Sequence, residues 1–221
     1  MIEITGVSKQ YGDFFAVRDV SLVIKQGEFF IITGRSGSGK STLMKLASGL
    51  MTPTSGEVCA EGTPLSSLSE KKLCAFRNHV IGYVFQTFGL EENFTAYENV
   101  ELPLVIAGVK AKERKKRVLE VAETVGLIPF LHKSSRVLSG GEKQRVAIAR
   151  AIVNNPKYLF ADEPCGNLDS ENTAAVLSLL KKLNEGGITI VMVTHDVSQL
   201  SLATHSVELS DGKIIHETFS D

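Results

Sequence analysis

One glycine-rich stretch, residues 34–42, constrains the fold of this chain more than any other part of its sequence. It follows the largely apolar run 28–33 and reads Gly34-Arg35-Ser36-Gly37-Ser38-Gly39-Lys40-Ser41-Thr42. A buried strand, a glycine-rich turn and a helix start are the context in which the pattern GxxxxGK, followed by Ser or Thr, forms a phosphate-binding loop. Backbone N–H groups and the positive end of the helix then face the phosphates. The stretch therefore predicts an α/β fold that binds a nucleoside triphosphate.

Two side chains of this loop carry specific roles in the prediction. Lys40 adds a full positive charge for the β and γ phosphates, and Ser41 places a hydroxyl group on Mg²⁺. The alternative is a flexible Gly/Ser loop that matches the pattern by chance. The strand before the loop and the helix after it argue against that alternative.

Length and apolar content favour a chain that stays in the cytoplasm. The 221 residues suffice for one α/β domain or two small lobes. The longest apolar stretches, such as 188–193, are far shorter than the roughly 20 residues that span a bilayer. The N-terminus reads as a strand and lacks the features of a signal peptide. Cys59, Cys74 and Cys165 show neither metal-ligand spacing nor an even count, which suits a reducing compartment.

Overall charge gives no reason to expect a nucleic-acid partner. The chain has 24 basic and 25 acidic residues and a formal net charge of −1. No global field therefore favours nucleic acid or anionic lipid.

The N-terminal part predicts two strands, 2–7 and 20–24, with Tyr11 in the loop after the first. An aromatic side chain in that loop could stack on a purine ring. Plain packing of Tyr11 is the alternative, and Phe14 or Phe15 could equally serve the stacking role.

The middle of the chain changes character after a predicted strand at 81–85 that ends at Gln86. The amide of Gln86 could reach a metal ion or water in the site, and a solvated loop amide is the alternative. Residues 87–138 contain Pro103 and a basic helical pattern from about 111 to 125, whose charges fit a solvated helix face better than a nucleic-acid site. We expect 87–138 to form a helical lobe inserted into the α/β core.

A second helix start, after Leu138, carries two glycines in its first turn. Ser139 and Glu142 fit an S-x-x-E capping box, which accounts for both residues without a ligand. That box does not explain Gly140 and Gly141, each of which costs roughly 1 kcal/mol in helix propensity. The glycines make sense if a phosphate must approach the backbone closely. The sequence therefore predicts a second phosphate-binding helix start.

An apolar strand at 158–161 runs into two acids, Asp162 and Glu163. A carboxylate at a strand end beside a phosphate loop can hold Mg²⁺, and a second carboxylate can polarise the attacking water. We assign the metal to Asp162 and the water to Glu163. Paired acids after a strand also serve as a helix N-terminal signal, and the phosphate loop upstream favours the functional interpretation.

Two further polar residues follow later strands and turns. Asp169 precedes an amphipathic helix and could simply cap it. His195 follows the strand 188–193, where a neutral imidazole can hydrogen-bond a γ-phosphate.

Together these residues resemble the ATP-binding subunit of an ABC transporter, and the resemblance covers essentially the whole chain. The motifs that fall in the family's order are the phosphate loop, Gln86, LSGGEKQ at 138–144, LFADEP at 159–164, Asn167-Leu168-Asp169 and His195. The segments that resemble the lipoprotein-releasing and macrolide-export branch, which also includes a cell-division ATPase, are 81–86, 95–100, 161–169 and 191–196. Cys165 departs from the branch, which usually has threonine there.

The resemblance implies an architecture. It is a P-loop NTPase core with a mixed sheet and flanking helices, an N-terminal antiparallel β subdomain and an inserted helical subdomain. Residues 1–221 would form a single ABC ATPase domain, with the core at 1–86 and 139–221 and the helical subdomain at about 87–138.

The resemblance also implies how the two predicted phosphate sites combine. Family members pair head to tail, so that ATP on the phosphate loop of one copy is covered by the second helix start of the other. The residues implied to act across the dimer are Ser139, Gly140, Gly141, Glu142 and Asp169. By position, Tyr11 resembles the adenine-stacking aromatic, Gln86 the residue that links the site to the membrane partner, and His195 the γ-phosphate switch.

The implied activity is hydrolysis of MgATP by water that Glu163 polarises, with Lys40, Gln86 and His195 assisting and Ser41, Gln86 and Asp162 around the Mg²⁺. The homodimer would lie on the inner face of the cell membrane and drive integral membrane permease subunits. It would transmit its motion to them through a groove near Gln86 and residues 88–103. Export or lipoprotein release is the implied process.

Three alternatives differ in partner or reaction. A cell-division type of ATPase would regulate cell-wall enzymes through a membrane partner without transport. ABC ATPases of DNA repair or translation usually insert a long coiled coil or duplicate the domain, which the short spacing from Gln86 to Ser139 argues against. A phosphoryl-transfer kinase would share the phosphate loop alone, and the LSGGE motif with Glu163 argues against it.

Overall fold

Two β-sheets and the helices that cover them organise the chain in the computed structural model, which describes residues 1–220. The strands are β1 (Ile2–Tyr11), β2 (Phe14–Ile24), β3 (Phe29–Gly34), β4 (Ser55–Ala60), β5 (Thr63–Pro64), β6 (Ile81–Val84), β7 (Tyr158–Asp162), β8 (Thr189–Val193), β9 (His205–Ser210) and β10 (Lys213–Phe219). The α-helices are α1 (Lys40–Ala47), α2 (Glu70–Val80), α3 (Ala96–Ile106), α4 (Ala111–Thr124), α5 (Gly140–Ile152) and α6 (Ser170–Glu185).

The smaller sheet is antiparallel and has the strand order β2-β1-β4-β5. Its first hairpin is longer than the sequence predicted, because the chain reverses in a tight turn at Gly12 and Asp13. Tyr11 therefore ends β1, where it pairs with Phe14 of β2, and does not lie in a loop. The prediction that placed Tyr11 in a loop was wrong in this respect, since the two strands continue up to the turn.

The larger sheet is mixed and has the order β10-β9-β3-β8-β7-β6. The strands β6, β7, β8, β3 and β9 run parallel, and β10 pairs antiparallel with β9. The carboxyl ends of parallel strands meet at one edge of a sheet, where α/β folds bind their ligands. The phosphate loop after β3, Gln86 after β6, Glu163 after β7 and His195 after β8 consequently share that edge.

Both faces of the larger sheet are covered, which explains why its central strands are apolar throughout. Phe29 and Ile31 of β3 pack into one core with α3, α4, α5 and α6. Phe30 and Ile32 point to the opposite face and pack into a second core with α1 and the smaller sheet. Alternation along a strand thus divides one continuous apolar run between two cores.

The segment 87–138 holds α3 and α4 together with two short 3₁₀ turns, 128–130 and 135–137. The helix α3 was missed, because the sequence predicted a helix in this segment only from about residue 111 onward. Pro103 lies inside α3, whose start is fixed by a capping box between Thr95 and Glu98. Within the part of the chain that the structure describes, no helix combines the length and apolarity needed to cross a bilayer.

Candidate functional site

The phosphate loop joins β3 to α1 in a backbone conformation that only glycine can supply. Gly34 and Gly39 have φ of 135° and 102°. A Cβ atom at Gly39 would lie 2.2 Å from the carbonyl oxygen of Ala16, and one at Gly34 would lie 2.2 Å from that of Leu209. The loop is therefore wedged between β2 and β9, and its glycines fix the position of the N-terminus of α1.

Lys40 lies at this helix start and is only 6% exposed. Its Nζ donates hydrogen bonds to the carbonyl oxygens of Gly34 and Arg35, both at 2.8 Å. The buried hydroxyl group of Ser38 has no hydrogen-bond partner among the described residues. Gly39 has no side chain to cap α1. A cation, an unpartnered hydroxyl and uncapped helix N–H groups together form an environment suited to anionic phosphate.

A cleft of about 460 Å³ opens over this loop and has the size of a small-molecule site. Its lining residues are Tyr11, Phe14, Ala16, Ser36, Gly37, Gly39, Lys40, Ser41, Thr42, Gln86 and Glu163. Tyr11 and Phe14 are both largely exposed, so both rings stay available for stacking on a base. Arg35 is exposed and does not line the cleft.

Ser41 and Asp162 are brought together although they lie far apart in sequence. The hydroxyl group of Ser41 donates a 2.9 Å hydrogen bond to Oδ1 of Asp162. Burial raises the pKa of Asp162, and the hydrogen bond from Ser41 and the charge of Lys45 partly offset that effect. A hydroxyl and a carboxylate oxygen side by side, next to a phosphate loop, are ligands that suit Mg²⁺. The donor set therefore fits the predicted magnesium site, with phosphate oxygens and water to complete it.

Glu163 stands between Gln86 and His195, each of which the sequence placed separately at the end of a predicted strand. Nε2 of Gln86 donates to Oε2 of Glu163 at 3.2 Å, and Nδ1 of His195 lies 3.4 Å from the same oxygen. The backbone of Glu163 is left-handed, with φ of 46°, and its N–H bonds the carbonyl oxygen of Val193. Left-handed backbone at a non-glycine residue is unfavourable and concentrates at functional sites.

The second predicted helix start is a complete capping box. Oγ of Ser139 accepts from the N–H of Glu142 at 3.3 Å, and Oε2 of Glu142 accepts from the N–H of Ser139 at 2.7 Å. A Cβ atom at Gly141 would lie 2.0 Å from Oδ1 of Asn172, so packing within the chain already requires that glycine. Gly140 is under no such restriction, since its nearest neighbour, in Leu168, is 3.6 Å from the built Cβ.

This second helix start does not line the cleft over the phosphate loop. Ser139 is exposed, and the lining of the cleft includes neither it nor the two glycines that follow. The structure of one chain thus separates the two predicted phosphate sites.

Asp169 caps α6, the alternative that the sequence left open. Its Oδ1 accepts the N–H of Asn172 at 2.8 Å, and the amide of Asn172 donates to both carboxylate oxygens. These hydrogen bonds lower the pKa of Asp169. Because the side chain of Asn172 also lies against Gly141, it joins the starts of α5 and α6.

No role was predicted from the sequence for two residues near the site, Asn167, which was named only as part of a motif, and Arg150. Nδ2 of Asn167 donates to the backbone oxygen of Gln86 at 3.3 Å. Arg150, on α5, donates to the carbonyl oxygens of Phe88 and Gly89. A charged residue within the apolar run of α5 was the available signal for Arg150. The hydrogen bond from Asn167 depends on the tertiary fold, and no sequence pattern predicts it.

Comparison with known proteins identifies close relatives of this chain. A family model described as ABC transporter matches residues 17–166. An uncharacterized ABC transporter ATP-binding protein of Methanocaldococcus jannaschii is 48% identical over 97% of this chain and 98% of its own length. The lipoprotein-releasing system ATP-binding protein LolD of Aquifex aeolicus is 44% identical, with coverages of 96% and 94%. The macrolide export ATP-binding/permease protein MacB of Hyphomonas neptunium is 41% identical over 99% of this chain, which spans 34% of that protein.

Solved structures give the same picture for the fold. A dimeric structure of MJ0796, described as a bacterial ABC transporter cassette, superposes with a TM-score of 0.92 at 42% identity and covers 99% of this chain and 98% of that chain. A dimeric post-hydrolysis state of the same cassette, bound to ADP and Pi, gives a TM-score of 0.91 at 41% identity, with the same coverages. The predicted P-loop architecture is confirmed by this agreement.

Proposed function

This chain belongs to the ABC transporter family and is one of its ATP-binding ATPase subunits, and we propose that it works as a head-to-tail homodimer that drives a separate membrane permease. The observation that carries the proposal is the incomplete site of a single chain. The cleft gathers Lys40, Ser41 and Glu163, whereas the N-terminus of α5 lies outside it. A two-fold axis that places α5 of one copy over the cleft of the other completes both sites at once.

The proposed chemistry is an in-line attack of water on the γ-phosphorus of ATP. The water oxygen forms the new P–O bond, the bond between the γ-phosphorus and the β–γ bridging oxygen breaks, and ADP leaves. Glu163 orients the water and takes up its proton, while Lys40 and the N-terminus of α1 neutralise phosphate charge. Mg²⁺ held by Ser41 and Asp162 would supply further positive charge, and the side chain of Gln86 lies within reach of that region.

The hydrogen bonds around Glu163 support roles for its neighbours. Oε2 of Glu163 accepts a hydrogen bond from Gln86 and lies beside His195. A bound γ-phosphate competes for the imidazole of His195, which then bonds the phosphate and leaves Glu163 free for water. Tyr11 stacks on the adenine, and Asp169 meets the partner copy. Ser139, Gly140, Gly141 and Glu142 contribute their helix start to the phosphate across the dimer.

The membrane partner is proposed to dock beside the loop that follows Gln86, which places the dimer on the inner face of the membrane. Phe88 and Leu90 lie in the segment 88–103 but pack against the core, so they are poor test positions. Phe94 is 37% exposed just before α3 and offers an apolar contact close to the loop. We assign the docking role to the surface around Phe94.

The names of the relatives support a branch of the family. LolD is named for lipoprotein release and MacB for macrolide export. We propose that the partner of this chain is a permease of that type, which extracts a hydrophobic or amphipathic substrate from the membrane. The cell-division type of regulator is the alternative, since its nucleotide site would be the same.

A pull-down from detergent-solubilised membranes tests the proposal. Tagged wild type, Glu163→Gln and Phe94→Ser are compared in the presence of ATP, and Ile215→Ser, at an exposed position on β10, is the matched control. The proposal expects a membrane protein with a large extracytoplasmic domain to accompany wild type, Glu163→Gln and the control, and to be depleted by Phe94→Ser. Recovery of cell-division components would favour the regulator. Nucleic acid or ribosomes alone would contradict the membrane role.

A further inference from the structure

Arg150 is a largely buried cation that makes no ion pair among the described residues. Its guanidinium group donates instead to two consecutive backbone oxygens, those of Phe88, at 2.9 Å, and of Gly89. Burial lowers the pKa of Arg150, although the charge of Glu91 opposes that effect. A buried cation is costly unless its donors are satisfied, so two carbonyl groups are an unusual and specific choice of partner.

The loop that receives these hydrogen bonds has an unfavourable backbone. Phe88 and Gly89 are consecutive left-handed residues, with φ of 60° and 59°. A non-glycine residue persists in that conformation only when its surroundings hold it there. The side chain of Phe88 packs on the core, and the guanidinium group of Arg150 donates hydrogen bonds to the carbonyl oxygens of Phe88 and Gly89. Arg150 therefore helps to hold a turn that the loop would not keep by itself.

The same loop carries the contacts of Gln86 with the rest of the site. Gln86 reaches Glu163 through its side-chain amide and receives a hydrogen bond from Asn167 at its backbone oxygen. The turn at Phe88 lies only two residues further along. A shift of that turn therefore displaces Gln86 relative to both Glu163 and Asn167.

Arg150 also lies on the helix that begins at Ser139. It is about three turns, roughly 16 Å, from that N-terminus, and an α-helix of this length is stiff. One side chain thus connects the phosphate-covering end of α5 with the loop beside Glu163. It does so without lining the nucleotide cleft.

We propose that Arg150 is a positioning residue that fixes the Gln86 loop to α5 and thereby keeps Gln86 beside Glu163. The role rests on the proposed ATPase mechanism, since it assigns Arg150 to the turnover step. ATP binding does not depend on it, because the phosphate loop and its lining make no hydrogen bond to Arg150 among those described. In the dimer the hydrogen bonds from Arg150 couple movement of the loop to movement of the N-terminus of α5.

The test compares Arg150→Met, which keeps the stem and removes the donors, with Arg150→Lys, which keeps the charge and shortens the reach. Arg145→Met is the matched control, because Arg145 lies on the same helix and donates to a backbone oxygen, that of Val125, away from the loop. Three quantities are measured on the purified full chain: amide hydrogen exchange of residues 86–91, affinity for a fluorescent ATP analogue, and steady-state kcat.

For Arg150→Met we expect exchange in 86–91 to become at least about tenfold faster and kcat to fall about tenfold or more, with nucleotide affinity within about threefold of wild type. Arg150→Lys should give an exchange rate and a kcat between those of wild type and Arg150→Met. Arg145→Met should leave both the exchange rate of residues 86–91 and kcat within about twofold of wild type. If Arg150→Met fails to fold, Arg150→Lys decides the proposal: faster exchange in 86–91 together with a lower kcat supports it, and no change in either contradicts it.

Unchanged exchange and kcat in a folded Arg150 variant would overturn the proposal, as would an equal loss in Arg145→Met or a loss of nucleotide affinity that matches the loss of kcat. An inactive wild type would count against the proposed mechanism instead, and the exchange comparison would still decide whether Arg150 holds the loop.

Discussion

At the scale of single residues, the two acids that end β7 lie in different environments. Asp162 is buried beside Ser41, and its charge has lost much of its hydration. Glu163 lies at the cleft with two polar side chains on its carboxylate, from Gln86 and His195. A buried carboxylate with one hydrogen bond is suited to a cation, and a carboxylate held by exchangeable partners is suited to water. The environments therefore support the division of roles proposed for the pair.

The raised pKa of Asp162 predicts an unusual pH dependence for the nucleotide-free protein. Between the unfolded and the higher folded pKa, the folded state binds more protons, so the stability contribution of Asp162 falls as pH rises through that window. At neutral pH the buried charge costs stability. Asp162→Asn should raise Tm without nucleotide by a few degrees, about the 2–4 °C that 1 kcal/mol gives in a chain of this size.

Thermal unfolding at pH 7 and near pH 4, with and without MgATP, checks this expectation. The gain in Tm should shrink at the lower pH, and Asp162→Asn should lose most of the stabilisation that MgATP gives to wild type. A variant that is less stable than wild type without nucleotide would show that the charge of Asp162 is well compensated.

The sequence predicted the residues whose chemistry follows from motif and strand position. Lys40 and Ser41 followed from the loop pattern, and Gln86, Glu163 and His195 were each placed at the end of a predicted strand. That the last three meet is seen only in the structure, where their strands end at one edge of the sheet. Hydrogen bonds between distant loops, such as that from Asn167 to Gln86, depend on the tertiary fold and could not be predicted. The assignments of individual site residues remain predictions for the experiments to decide.

At the scale of elements, two helices of the chain begin with the same capping motif. Thr95 and Glu98 form a capping box on α3, and Ser139 and Glu142 form one on α5. Only the second box contains two glycines, between its serine and its glutamate. The pair allows the structural value of a cap to be separated from a role toward phosphate.

Ser139→Ala and Thr95→Ala should each cost about 1 kcal/mol of stability, the typical value of a lost N-cap. Only Ser139→Ala should also lower kcat, by roughly tenfold, because it alone removes a hydrogen-bond donor from the phosphate of the partner copy. Chemical denaturation and steady-state ATPase assays measure the two effects. Equal kcat in the two variants would contradict a role of Ser139 across the dimer.

The missed helix α3 shows where the sequence interpretation failed at this scale. The T-x-x-E pattern at Thr95 was available and marks the start of α3, but a helix was predicted only from about residue 111. The longer first hairpin was missed for a related reason, since the polar residues 8–10 look like a loop and pair as a strand. Cross-strand pairing and helix packing override local propensity in both cases.

At the scale of the whole molecule, one chain keeps the two predicted phosphate sites apart. The cleft over the phosphate loop lies at the carboxyl edge of the larger sheet, and the start of α5 lies exposed elsewhere. Asn172 joins the starts of α5 and α6, and we propose that these two helix starts together form the surface that meets a second copy. A dimer closed by ATP is the arrangement that uses all of these features.

The most direct test of this arrangement is the ATP-dependent mass of Glu163→Gln in sedimentation analysis. The variant should hydrolyse ATP at least about 100-fold more slowly than wild type and sediment as a dimer with saturating MgATP but as a monomer without it. Adding Ser139→Glu, which sets a carboxylate against the phosphate, should abolish the dimer, whereas adding Thr95→Glu should preserve it. A Glu163→Gln protein that binds ATP and stays monomeric, or a dimer indifferent to Ser139→Glu, would contradict the head-to-tail account.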